Sequence, residues 1–203
     1  MHKEVLTEEQ LELLPLIRKF SKTFGMVGGT AIALYIGHRR SIDFDLFSLR
    51  DFDNGAIRKK IAKSYSIERV VTDQAGHYTV IIKGVRLTFF HYPYRVAFSK
   101  HFEDYITMPS LLTLAAMKAH ALGRRAKWKD YVDLYFIIKD HYDIGDIAKK
   151  AHQLFGNEFN EKLLRTQLAY FDDVDYREAV EYVGDFKTSD AIVKKGLTKF
   201  SIN

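Results

Sequence analysis

The chain has 203 residues, 47% hydrophobic and 28% charged, a globular mixture long enough to bury a continuous core. It contains no cysteine, which excludes a disulfide framework, a thiol nucleophile and a cysteine-ligated zinc site. With 31 basic residues against 26 acidic ones, a net charge of +5 and an isoelectric point near 9.2, it has a mild bias toward a polyanionic partner.

The opening MHKEVLTEEQLELL carries acids where a secretory signal needs a basic start and an apolar middle. The apolar runs are too short to span a bilayer, so a cytoplasmic protein is expected. Hydrophobic spacing predicts an amphipathic helix over residues 7–24. Met26 and Val27 then read as a strand end, Gly28 and Gly29 as a turn, and residues 30–36 as a short helix closed by Gly37. Two glycines let backbone approach a ligand where a Cβ would block it, and the free amides of a helix start, with the Thr30 hydroxyl, offer donors to phosphate. His38, Arg39 and Arg40 follow as either a solvated basic loop or phosphate contacts.

Residues 42–47, IDFDLF, alternate polar and apolar with the period of a half-buried strand. Ile42, Phe44 and Leu46 should face a core, and Asp43 and Asp45 should leave the opposite face together. At a rise of about 3.3 Å per residue their Cβ atoms stand roughly 6 to 7 Å apart, close enough to converge on one hard cation or to bridge two.

A helix over 51–63 precedes three β-rich runs at 67–72, 78–83 and 85–91, joined by short turns, so a mixed sheet containing the acidic strand is implied. Glu103 and Asp104 fall in a connection with no assigned element. Beyond Pro93 the pattern turns helical, at 109–122, 129–139, 144–155 and 159–171. The expected organisation is a lobe over 1–100 and a helical lobe over 101–203, packed together because no Pro/Gly/Ser-rich linker separates them. The tail after Asp185 ends in Leu197 and Phe200, which can dock on the body or on a partner. Basic residues concentrate at 58–60, at 124–129 around the single Trp128, and at 194–195. The middle cluster is either a surface for RNA backbone with Trp128 stacking a base, or a solvated loop with Trp128 packed inward.

The string GGTAIALYIGHRRSIDFDLF resembles the signature of nucleotidyltransferases with the DNA-polymerase-beta-like α+β fold, and more narrowly that of the AbiEii/AbiGii-type toxins of toxin–antitoxin or phage-defence pairs. A second signature, LAAMK ending at Lys118 and RAKWKDYVDLYF starting at Arg125, resembles the same family in the same order. The resemblance implies magnesium-dependent transfer of a nucleotidyl group from a nucleoside triphosphate to an acceptor hydroxyl. RNA, and transfer RNA in particular, is the leading acceptor. A protein or small-molecule acceptor, a silent nucleotide-binding protein and a non-enzymatic nucleic-acid-binding module are the alternatives. It assigns Asp43 and Asp45 to the metal, Gly28, Gly29, Thr30 and Arg40 to the nucleotide, and Lys118 to a phosphate. Asp130 and Asp133 would orient Lys118, bind metal or ribose, or assist proton removal. An antitoxin protein is the expected partner. One departure is Thr88, which stands in the strand run 85–90 where such enzymes carry a third carboxylate.

Overall fold

Side-chain caps set most α-helix starts. In the computed structural model, which describes residues 1–202, α1 (Glu8–Arg18) starts in a capping box. The Thr7 hydroxyl accepts from the Gln10 N–H, and the Gln10 side chain accepts from the Thr7 N–H. The helix stops at Arg18 rather than at residue 24. The Ser21 hydroxyl donates to the Arg18 carbonyl at 2.9 Å, a local bond that competes with helix continuation, and the turns that follow still deliver Phe20 and Phe24 to the core.

β1 (Gly25–Val27) leads into α2 (Gly28–Ile36), which ends at Gly37 in the left-handed region, φ +81°. β2 (Phe44–Ser48), α3 (Asn54–Ala62, capped by Asp53), β3 (Arg69–Gln74), β4 (His77–Ile82) and β5 (Val85–His91) complete a five-stranded sheet in the order β1-β2-β5-β4-β3. β2 and β5 run parallel and the other neighbours antiparallel, so the sheet is mixed as expected.

The two faces of this sheet differ. Phe44, Leu46, Tyr78, Val80, Leu87 and Phe89 are fully buried on one face, where the ring of Phe20 meets that of Phe89 at 4.8 Å and Arg58 reaches Tyr78 from α3. The other face carries the residues between them, including Asp45, Phe47, Thr88 and Phe90, all half-buried.

A short hairpin of β6 (Lys100–Phe102) and β7 (Ile106–Met108) occupies the stretch with no assigned element. Glu103 and Asp104 form its turn and pair with Lys3 at 3.0 Å and Arg18 at 2.9 Å. Five helices follow: α4 (Leu111–Leu122), α5 (Trp128–Asp140), α6 (Ile144–Phe155), α7 (Glu161–Ala169) and α8 (Asp190–Ser201). Ser110, Asp143, Asn160 and Ser189 cap four of them. The tail docks on the body: α8 packs against α5 and α7 and buries Leu197.

One apolar cluster runs through the sheet and the helices. The segment between α7 and α8 straps them together. Asp175 pairs beside Lys127, while Tyr182 pairs beside Arg39, with Arg40 N–H donating to the Glu181 carbonyl at 2.8 Å and Val183 N–H to that of His38 at 3.1 Å. No helix among the described residues is long and apolar enough to cross a membrane.

Candidate active site

Gly28 opens α2 with φ +76°, and a Cβ built on it would overlap the Asp45 carboxylate. The glycine turn and this acid are therefore in contact, which only a residue without a side chain allows. At Gly29 a Cβ would lie 2.7 Å from Nη2 of Arg39. Both glycines are half-exposed, so their backbone remains open to a ligand.

The alternation holds for Phe44, Asp45 and Leu46, but it fails at Ile42, which is 52% exposed outside the strand rather than in the core. The cause lies next door. Thr30 is buried, and its hydroxyl donates to the carbonyls of Ser41, at 3.2 Å, and Asp43, while Gln10 Nε2 donates to the Ser41 carbonyl at 2.9 Å. These bonds hold residues 41–43 out of the sheet ladder. They also correct the expectation that the Thr30 hydroxyl is free for a phosphate.

Burial raises the pKa of Asp45 to about 6, and the neighbouring charge of Asp43 adds to it. Asp43 is also raised by burial, which Arg86 partly opposes from 3.9 Å. Two neighbouring carboxylates that repel each other, countered nearby only by Arg86 beside Asp43, suit a hard divalent ion that takes its remaining ligands from phosphate and water. No cluster of three His, Asp or Glu side chains able to hold a metal occurs among the described residues. Thr88 lies in register with Asp45 on the adjoining strand, so the position of a third acid carries a hydroxyl.

Lys118 and Asp130 come from α4 and α5 and meet in a buried ion cluster. Lys118 Nζ donates to Asp130 Oδ1 at 2.7 Å and lies 3.0 Å from Asp133 Oδ2. Burial alone would lower the Lys118 pKa, but the two aspartates hold it above its ordinary value. The field of Lys118 reaches Asp45 and favours its charged form. Asp130 Oδ2 is buried and makes no hydrogen bond, with Arg125 Nε 3.3 Å away in an ion pair.

Asp133 is fully buried and fully engaged. Arg39 donates to both its oxygens, at 2.7 and 2.8 Å, and His38 Nε2 donates to Oδ1 at 2.8 Å. Burial would raise its pKa, yet Arg39, Lys118 and the hydrogen bonds hold it well below the usual carboxylate range. Asp133 therefore anchors Arg39 and Lys118 and has no oxygen left for a nucleotide, which corrects its assignment as a nucleotide contact. Burial lowers the pKa of His38 despite Asp133.

Arg40, expected at the nucleotide, pairs with Glu181 at 2.7 Å and reaches the Leu6 carbonyl. Trp128 is packed inward against Tyr131 and Phe171, with Nε1 donating to Asp190 at 3.1 Å, so it is not a stacking surface. Two features escape a reading of the chain. Glu178 pairs with Lys127 at 2.7 Å and Lys129 at 3.4 Å, and all three act on the Asp43 charge. Nothing in the irregular strap announces this. Arg86 stands two residues before Thr88 on β5, so the strand period puts the two on one face, and the pairing of β2 with β5 brings Arg86 to 3.9 Å from Asp43.

Comparison with known proteins bears on the chemistry. A family model described as nucleotidyl transferase AbiEii toxin, Type IV TA system, matches residues 16–191. The chain belongs to this AbiEii family. An AbiEii protein is a nucleotidyltransferase, with a nucleoside triphosphate as substrate and a cognate antitoxin as the partner its family implies. This AbiEii chain is 29% identical over 175 residues to the protein aq_aa25 of Aquifex aeolicus (strain VF5), covering 83% of this chain and 84% of that one. In structure it is similar to JHP933 from Helicobacter pylori, with a TM-score of 0.62 and 18% identity over 97% of this chain and 92% of that one. It is also similar to MenT4, the nucleotidyltransferase toxin Rv2826c from Mycobacterium tuberculosis H37Rv, with a TM-score of 0.58 and 12% identity over 94% and 80% of the two chains. These likenesses establish the fold.

Proposed function

We propose that this nucleotidyltransferase is magnesium-dependent and transfers a nucleotidyl group from a nucleoside triphosphate to a hydroxyl of RNA, with transfer RNA the leading class. It acts as a toxin restrained by a separately encoded antitoxin. The observation that carries this reading is the contact between Gly28 and Asp45, because it joins a phosphate-accessible backbone to a cation-holding acid within one turn. Asp43 and Asp45 would hold the magnesium, which neutralises triphosphate charge and orients in-line attack when bound. The Gly28 and Gly29 amides receive the terminal phosphates. Lys118 supplies a fixed positive charge, positioned by Asp130 and by Asp133 behind it. Asp130 Oδ2, which makes no hydrogen bond within the protein and lies 3.3 Å from Arg125, would accept a hydrogen bond from a ribose or acceptor hydroxyl. Residues 1–100 form the catalytic lobe, and 101–203 complete its site. The cytoplasm, where triphosphates and RNA meet, is the compartment this reading requires.

The test incubates purified protein with magnesium, each labelled triphosphate and total cellular RNA, beside Asp43→Ala/Asp45→Ala. Label on RNA that disappears in the variant is the expected result. Magnesium-dependent triphosphate binding without transfer to RNA would favour a protein or small-molecule acceptor, or a silent enzyme, for which Thr88 in register with Asp45 is the supporting residue. No triphosphate binding would overturn the reading.

A further inference from the structure

Beyond the carboxylates, the same face of the sheet becomes aromatic. Phe47 follows Asp45 by two residues on β2, and Phe90 follows Thr88 by two on β5, so the rings lie side by side where Phe47 and Phe90 pair in register. Their centroids are 5.3 Å apart, Tyr92 adds a ring 5.0 Å from Phe47, and His77 of β4 stands edge-on to Phe90 at 5.3 Å. These rings are half-buried, whereas the buried aromatics of the same strands, Phe44 and Phe89, lie on the opposite face. Among the described residues, Phe90 meets only Phe47 and His77 in ring contact. Arg86 precedes Thr88 by two residues on this face, half-exposed, with its guanidinium 3.9 Å from Asp43.

The position of this shelf decides what it meets. The glycine turn touches Asp45 from the β1 side of the sheet, so bound phosphates would lie over β1 and α2, and pyrophosphate would depart in that direction. In-line displacement requires the attacking hydroxyl on the far side of the reacting phosphorus. That side is β5 and β4, where the chain presents Arg86, Thr88, Phe90 and His77. The shelf begins one strand period, about 6.6 Å, from Asp45, a separation of the order between a terminal hydroxyl and the base of its own nucleotide.

Resting on the nucleotidyltransfer reading above, we propose that Phe47 and Phe90, flanked by Tyr92 and His77, form a stacking shelf for the unpaired terminal base of the RNA acceptor, with Arg86 meeting its adjoining phosphate. A π-face accepts any base, so the shelf tolerates sequence, and discrimination falls to shape and length of the single-stranded end.

The test measures binding of eight-residue single-stranded RNA oligonucleotides, one series ending in each base and one ending in an abasic residue, to wild type, Phe90→Ala, Phe90→Trp and Arg86→Gln. Magnesium-dependent triphosphate binding is measured on the same samples. Phe90→Ala should weaken the base-ended oligonucleotides roughly 10- to 100-fold, the range of one lost base–aromatic stack. It should leave the abasic series and triphosphate binding unchanged, and Phe90→Trp should restore affinity. Arg86→Gln should weaken all oligonucleotides equally and reduce their salt dependence. Loss of triphosphate rather than oligonucleotide affinity in Phe90→Ala would overturn the proposal in favour of a shelf for the incoming base. Unchanged affinity for both, or equal losses with base-ended and abasic ends, would overturn it in favour of packing. Wild type that binds magnesium-triphosphate but no oligonucleotide would sink this proposal while leaving nucleotidyl transfer intact. Wild type that binds neither would remove the reading beneath it.

Discussion

Asp45 ties ligand binding to pH. Its native pKa of about 6 lies above the ordinary 3.8, so the folded protein holds this proton more tightly than the unfolded chain does. Ionising Asp45 therefore costs stability as pH rises from about 4 through 6, a cost complete above 6 and absent below 4. Asp45→Asn should raise unfolding free energy at pH 7 by on the order of 2 to 3 kcal/mol and leave it unchanged at pH 4, as denaturant titrations at the two values would read. In the wild type, protons should compete with magnesium below pH 6, so calorimetry should find weaker binding and proton release as pH falls. A flat pH profile would contradict the burial of this carboxylate. Asp133→Ala carries the opposite expectation, because it strands the buried Arg39. A loss of about 3 to 5 kcal/mol follows from an uncompensated buried charge, visible as a lowered urea midpoint. Gly28→Ala forces a Cβ onto the Asp45 carboxylate at φ +76°, so it should abolish triphosphate binding while the fold, checked by circular dichroism, survives.

The hinge between α2 and β2 turns on a hidden hydroxyl. Thr30→Val keeps the shape of that side chain but releases the carbonyls of Ser41 and Asp43, and it should cost about 1 to 3 kcal/mol and lower turnover through a displaced Asp43. A Thr30 acting on phosphate would instead raise the Michaelis constant for triphosphate with stability untouched, so thermal melts beside kinetics separate the two. That hydroxyl illustrates what local patterns carry. Helix starts at Thr7, Asp53, Ser110 and Asp143 are written in capping side chains, and the paired acids in a two-residue period. The short hairpin of β6 and β7 is not written that way, since three-residue strands have no measurable period and its turn places Glu103, not glycine, at φ +49°. The candidate site was legible where neighbours in sequence are neighbours in space, as within the pair Gly28 and Gly29 and within the pair Asp43 and Asp45. Asp133 read as a ligand residue because its partners, Arg39 and His38, lie 94 and 95 residues away in the chain. Ile42 misled for the related reason that Gln10, in a different helix, holds the loop it belongs to.

At the scale of the whole molecule, the strap between α7 and α8 brings Glu178 against Lys127 and Lys129 beside the acids. Glu178→Gln should free both lysines and lower the Asp43 pKa, which Glu178 now helps to raise. Magnesium and triphosphate affinity should then rise several-fold, measured by equilibrium binding, and unchanged affinity would mean the lysines do not face the ligand. The same long-range stitching sets a clock on synthesis. Arg39 emerges from the ribosome 94 residues before Asp133, an interval of roughly 5 to 20 s at ordinary elongation rates. During that interval the glycine turn and both acids already exist, yet the guanidinium beside Gly29 has no carboxylate to hold it, and Lys118 and Asp130 are made only near its end. The charged centre therefore assembles only after most of the chain has been made.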